Sequence, residues 1–274
     1  MYERPIVFDE ICLTGATATV AEVMGFSAPA ESAASIKPIV KKAENVFSGR
    51  KADRALLYNP DAVALWLYQK YTDLFTDAAV VSDIAIPLQS VMPSVTPVCF
   101  ASMYSGILPE KHGIQSYTKP VLQCELLFDC ALAAGKKVAI VSTAEDSISM
   151  IFLEREMDYF IYDDHYKVNE KALELMKEDK HDIIVVYNGN YDSTMHGHGP
   201  EAPESIEALK ENVATYKRFA EAVKEDWKGH DVIYGFMPDH GCHETRSGRG
   251  SHGHEVEEDM NIIHFYGFSA KGSK

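Results

Sequence analysis

Two short stretches concentrate groups that bind cations. Residues 192–199 read DSTMHGHG, and residues 238–255 read PDHGCHETRSGRGSHGHE. An aspartate and a histidine four positions apart, Asp192 and His196, can meet one ion from a single turn of backbone. Carboxylate oxygen and neutral imidazole are both good zinc ligands, with bonds of about 2.0–2.2 Å. The adjacent pair Asp239 and His240 can hold a second ion where the chain leaves a sheet and successive side chains no longer have to diverge. Glycines at Gly197, Gly199, Gly241, Gly250 and Gly253 let the backbone turn sharply around such a site. One histidine beside one glycine is commonly just a loop residue; so many in two stretches are harder to explain that way.

A hydroxyl joins the set. Thr96 precedes Pro97 in MPSVTPVCFASMYSGILPEKHGI (residues 92–114). Proline favours the first helical position, where its missing N–H would have no partner, so the pattern predicts Thr96 at an N-cap. Its hydroxyl would then sit at the positive end of a helix, where an oxyanion is stabilised and a phosphate can dock. Capping alone would also account for a threonine there.

The elements that must position these groups are legible as apolar runs. Residues 54–59, 136–142, 181–188, 230–237 and 260–268 are rich in Val, Ile and aromatics and read as buried strands. Between the third and fourth, Ile206, Leu209, Val213, Tyr216, Phe219, Val223 and Trp227 fall three or four apart, which is one face of a helix. Strand and helix in alternation predict an α/β fold: a mostly parallel central sheet with helices on both faces and chemistry at the carboxyl ends of strands. Asp61, Asp192 and Asp239–His240 each follow a predicted strand. Residues 28–35 read as a surface loop, and with no internal repeat the simplest organisation is one domain over 1–274.

TPVCFASMYSGILPEKHGI, DSTMH, DHG and GSHG, in that order, resemble the alkaline phosphatase superfamily, most closely its type I phosphodiesterase and nucleotide pyrophosphatase branch. The resemblance runs from about Asp53 to Phe268. It implies an alkaline phosphatase-like three-layer sandwich, with Thr96, sixteen residues before His112, as the nucleophile. It implies that one ion is held by Asp192, His196 and His252 and the other by Asp61, Asp239 and His240. His198, His243 and His254 are then neighbours of the site rather than ligands. Three aspartates and three histidines suit zinc, and manganese would also be accepted. The implied chemistry is in-line phosphoryl transfer through a phospho-enzyme; a phosphomonoesterase, a phosphomutase or a non-catalytic metal-binding relative would keep much of the same cage.

Three departures from the family pattern stand out. Asp61 is followed by Ala62 rather than glycine. Tyr117 occupies the position, five after the histidine of HGI, where the diesterase branch commonly has a phosphate-binding asparagine. Residues 12–29 resemble a segment that relatives often carry near their C-terminus, so residues 1–52 are expected to pack on the core as an accessory segment. Arg246 and Arg249, between two ligand motifs, could clamp a phosphate bidentately or simply be solvated loop residues.

Composition narrows the partners. The chain has 274 residues, 46% of them hydrophobic, and a formal net charge of −15. That field disfavours nucleic-acid polymers and anionic membranes, and leaves a small phosphorylated substrate neutralised by metal as the expected partner. Five scattered cysteines without C-x-x-C spacing suggest reduced thiols. The charged, proline-containing start and the lack of a long apolar window lead us to expect a cytoplasmic protein.

Overall fold

The structure is a computed structural model that describes residues 11–272. Residues 1–10, on which the reading of the N-terminal stretch rests, lie outside the described residues, as do 273–274. Helices α1 (Gly15–Met24) and α2 (Lys37–Phe47) precede strand β1 (Arg54–Pro60). Helix α3 (Leu65–Lys70), a 3-10 turn (Thr72–Phe75) and α4 (Thr76–Val81) lead to β2 (Ile84–Gln89). Helices α5 (Thr96–Ser105), α6 (Pro109–His112) and α7 (Leu127–Ala133) come before β3 (Val138–Thr143), and α8 (Ser147–Ile151) before β4 (Asp158–Tyr162). Then follow α9 (His165–Glu178), β5 (Ile183–Asn188), α10 (Asn190–His198), α11 (Pro203–Asp226) and β6 (Val232–Phe236). A hairpin of β7 (His243–Glu244) and β8 (Gly250–Ser251), α12 (Glu257–Met260) and β9 (Asn261–Ser269) close the chain.

The seven-stranded sheet has the order β2-β9-β6-β1-β5-β3-β4. β1 lies at its centre, parallel to β5 and β6, while β3 pairs parallel with β5 and β4. β9 is antiparallel to both β6 and β2. The reason is the connection: residues 237–260 stay at the carboxyl end of β6 instead of crossing back as a helix, so β9 starts where β6 stops. The two strands that sequence patterning missed, β2 and β4, are the sheet's edges. β2 carries Pro87, which an edge tolerates because one side of the strand needs no ladder donor, and β4 is short and only partly buried.

Helices cover both faces. Along β1, Ala55 and Leu57 face one core while Leu56 and Tyr58 face the other, and β5 alternates in the same way. Burial on both sides explains why these strands read as unbroken apolar runs. The α11 stripe packs as its spacing predicts: Leu209, Val213, Tyr216, Phe219 and Val223 are buried, with Trp227 just beyond the helix. On the opposite face α1 sits against α5 and α7, and Thr17 Oγ1 donates to the Met103 carbonyl at 2.6 Å.

One glycine in β9 is explained by its cross-strand partner. Gly267 is opposite Tyr234 of β6, and a Cβ there would come within 2.2 Å of the ring. Tyr234 is fixed from its far end, donating to the Val81 carbonyl at 2.6 Å. Gly267→Ala should therefore lower the urea midpoint by the equivalent of about 1–3 kcal/mol of overpacking. An unchanged midpoint would show that the ring moves aside freely.

Candidate metal centre

Asp61 leaves β1 directly, with its N–H extending the ladder to the Asn188 carbonyl at 3.0 Å. Ala62 then turns the chain in the left-handed region at φ +63°. The bend is thus made with alanine, at about 1–2 kcal/mol of strain, and the aspartate keeps its place. Asp192 and His196 lie one turn apart on α10. Asp239 and His240 follow β6, and His252 follows β8. The β7–β8 hairpin packs on α10 so closely that a Cβ at Gly250 would lie 2.2 Å from Met195 Sδ; this contact brings His252 to the helix.

The six residues form two groups, Asp192/His196/His252 and Asp61/Asp239/His240, within each of which one ligand atom per residue lies within 4.8 Å of the others. The second group is fully buried and the first opens toward solvent. His254, exposed, is in neither.

All three imidazoles present the same nitrogen. Nδ1 of His196 lies 3.1 Å from the Gly250 carbonyl, Nδ1 of His240 lies 2.9 Å from that of Gly241, and Nδ1 of His252 lies 3.0 Å from that of Ser94. A carbonyl only accepts, so each Nδ1 carries the hydrogen and each neutral ring turns the lone pair of Nε2 toward the site. His196 Nε2 and His252 Nε2 face each other at 3.1 Å. Two lone pairs at that distance repel unless a proton or a metal ion lies between them.

The carboxylates repeat the pattern. Asp61 Oδ1, Asp192 Oδ1 and Asp239 Oδ2 are buried and accept no hydrogen bond. Asp192 Oδ1 is 3.3 Å from His196 Nε2 and 3.4 Å from His252 Nε2. His240 Nε2 is 3.4 Å from Asp61 Oδ1 and 3.3 Å from Asp239 Oδ2. Buried acceptors without donors are rare in native proteins, and these converge in threes with imidazole lone pairs. The donor set fits divalent cations of the zinc or manganese kind.

Proton affinities report the same crowding. Burial, then the charge of Asp192, pushes Asp61 up to about 7. Burial and Asp61 push Asp239 well above the carboxylate range, and burial holds His240 well below that of an ordinary imidazole. Burial acts to raise Asp192, but the neighbouring His196 and His252 imidazoles more than offset it and hold it low. The neighbouring Asp192 carboxylate raises His196; in His252 burial opposes a rise, and Asp192 outweighs it.

Thr96 is the first residue of α5 rather than its N-cap, which is Val95. This corrects the capping expectation, since the hydroxyl bonds no helix N–H. Instead Oγ1 lies 3.3 Å from Asp61 Oδ2 and 3.3 Å from His240 Nε2, against the buried ligand group and at the amino end of the helix.

The remaining candidates lie around this centre. Tyr117 is 60% exposed, and Lys119 Nζ sits 5.2 Å above its ring. Burial, followed by the fields of Asp61 and Asp192, raises the proton affinity of the Tyr117 phenol. Arg246 and Arg249 are exposed on the β7–β8 turn, and His198 is exposed on α10. His243 bonds Asp259 instead of a ligand group. Sequence reasoning missed Tyr187, whose hydroxyl donates to Asp61 Oδ2 at 2.5 Å and leaves Oδ1 for an ion. It also missed Asp146, beyond β3, which burial raises to about 6. Period-two alternation puts Tyr187 on the α5 side of β5, but nothing in the sequence says that it meets Asp61.

No family model matches the sequence, and no curated protein does. Solved structures do. Murine ectonucleotide pyrophosphatase/phosphodiesterase 5 superposes with a TM-score of 0.57 at 14% identity, over 71% of this chain and 59% of that one. The chain shares the fold of these structures. The human form of the same protein gives 0.57 at 14% identity over 70% and 57% of the two chains. Phosphonoacetate hydrolase from Sinorhizobium meliloti, in complex with phosphonoformate, gives 0.51 at 18% identity over 72% and 59%. The chain thus spans less than two thirds of each of these structures. One murine structure is a threonine-to-alanine variant described as inactive and in complex with AMP.

Two predictions follow from this geometry. A cation must displace protons from Asp61, His196 and His252, whose raised affinities keep them protonated more fully as pH falls. The thermal stabilisation produced by a fixed concentration of Zn2+ or Mn2+ should therefore grow from pH 5.5 to pH 8, and the titration should release protons; equal shifts at both pH values would contradict the ligand set. His252→Ala should remove one ion from the metal-loaded protein, whereas His254→Ala should leave the content unchanged, as elemental analysis after desalting would read.

Proposed function

We propose that the protein is a two-metal hydrolase of phosphoric esters, of the phosphodiesterase and nucleotide pyrophosphatase kind, with Thr96 as nucleophile and a phosphothreonine intermediate. The observation that carries this is one arrangement: a buried hydroxyl at a helix amino terminus, 3.3 Å from two atoms of a ligand group, beside a second ligand group. The names of the superposed proteins, a phosphodiesterase and a phosphonate hydrolase, support the class. The inactive threonine-to-alanine murine variant supports the nucleophile.

Divalent cations held by the two groups would neutralise the substrate's charge and favour both the attacking and the leaving oxygen. The chain's own residues do the rest. The Thr96 hydroxyl has Asp61 Oδ2 and His240 Nε2 as proton acceptors, and its oxygen attacks phosphorus as the ester P–O bond breaks. The leaving alcohol or phosphate takes a proton. Water then cleaves the Oγ–P bond, releasing the phosphoryl product and restoring the hydroxyl. The amino end of α5 supplies a positive potential to the phosphoryl oxygens throughout. Tyr117, exposed, has a phenol that can donate one hydrogen bond to the substrate where an asparagine amide would offer two.

Turnover of nitrophenyl mono- and diesters by the metal-loaded protein tests the reading. Thr96→Ala should lower kcat by roughly 10^3- to 10^6-fold with both ions retained, and Thr96→Ser should keep substantial activity. A fully active alanine variant would eliminate the covalent route. A wild-type protein that takes up fewer than two ions per chain would overturn the two-metal assignment itself.

A further inference from the structure

The loop that carries His240 and the loop that carries His252 meet over one side chain, Asp259 of α12. It is fully buried. Its Oδ1 accepts from His243 Nδ1 at 2.7 Å, and its Oδ2 accepts from the His254 backbone N–H at 2.9 Å. Its own carbonyl accepts the Gly241 N–H at 2.8 Å. Gly241 and His243 are within three residues of His240, and His254 is two beyond His252. The contact is tight, since a Cβ at Gly241 would lie 2.0 Å from the Glu258 carbonyl oxygen. The rings of His240 and His252 stack at 4.1 Å, so the two loops are in register where it matters.

Asp259 differs in kind from the ligand carboxylates. Each of those has a buried oxygen with no hydrogen bond, whereas both oxygens of Asp259 are engaged by the protein. Neither of its oxygens is left without a protein partner. Its two side-chain bonds instead cross-link the segments that supply one imidazole to each ligand group.

We propose that Asp259 is a positioning residue that fixes the separation of the two metal half-sites; this rests on the two-metal reading above. The bond from Gly241 reaches the backbone of Asp259 and survives substitution, so the His240 segment stays anchored. The bond from His254 reaches the side chain. Loss of the carboxylate therefore removes one anchor of the His252 segment, leaving its bonds to Ser94, and weakens the ion held by Asp192, His196 and His252 in preference to the other.

Calorimetric titration of the metal-free chain with Zn2+ or Mn2+ tests this. Asp259→Ala should weaken one ion by about 10- to 100-fold and leave the other near wild type, the range typical of groups that orient ligands. Asp259→Asn should stay below about tenfold, because its carbonyl still accepts from His254 and its amide can donate to the other tautomer of His243. His243→Ala should also retain both ions, since the bond to His254 remains. In a His252→Ala background, Asp259→Ala should add no further loss at the surviving site. If Asp259→Ala does not fold, Asp259→Ser, which leaves room for water in the gap, is read instead. Wild-type affinities for both ions, equal weakening of both, or an asparagine variant as damaged as alanine would each overturn the proposal while leaving two-metal binding intact. A wild-type chain with fewer than two ions overturns both together.

Discussion

Six ligand atoms that lack hydrogens converge at the carboxyl end of the central strands, and their mutual repulsion is the constraint around which the rest of the molecule is arranged. Two unit charges about 4 Å apart cost on the order of 4 kcal/mol at an effective dielectric near 20. Three carboxylates and three inward-facing imidazole lone pairs in two groups therefore form an arrangement that only positive charge can stabilise. Burial and, after it, the neighbouring carboxylates favour protons on these groups, raising Asp61 to about 7 and Asp239 well above the carboxylate range. Divalent cations reverse the sign of the same interactions.

Holding repelling groups together requires a rigid frame. The frame is the β1, β5 and β6 core of the sheet, buried on both faces, from whose ends Asp61, the α10 pair and the Asp239–His240 pair emerge side by side. Backbone carbonyls of Gly241, Gly250 and Ser94 then fix the three imidazoles in one tautomer. Main-chain acceptors suit this task because they cannot donate, so the hydrogen on Nδ1 is dictated rather than chosen. Tyr187 does the corresponding job for Asp61, occupying Oδ2 and leaving Oδ1 bare.

The same frame would reconcile an acidic protein with the anionic substrate proposed for it. A net charge of −15 repels phosphate at long range. At close range the sign is set by the ligand groups once they hold cations and by the amino end of α5, where Thr96 begins the helix.

Much of this was legible in one dimension. The five strong strands, the α11 face and the fold class follow from apolar periodicity, and the Asp192–His196 and Asp239–His240 pairs from their spacing after strand ends, because burial on two faces and departure from a sheet both leave local marks; the assignment of His252 and Asp61 to the two groups comes from the family resemblance. What depended on distant partners did not. The edge strands β2 and β4 carry too little burial to show, and the reversal of β9 follows from where a 24-residue connection, 237–260, stays in space. The Thr96 hydroxyl reads as a helix cap until Asp61, 35 residues away in sequence, is brought beside it. Tyr187, Asp146 and Asp259 are an ordinary strand aromatic and two ordinary acids by sequence. Sequence determined which residues could ligate, because ligand chemistry belongs to residue type. Tertiary structure decided which oxygen is left bare, which nitrogen faces inward and which carboxylate is consumed by the protein itself, because those depend on partners far along the chain.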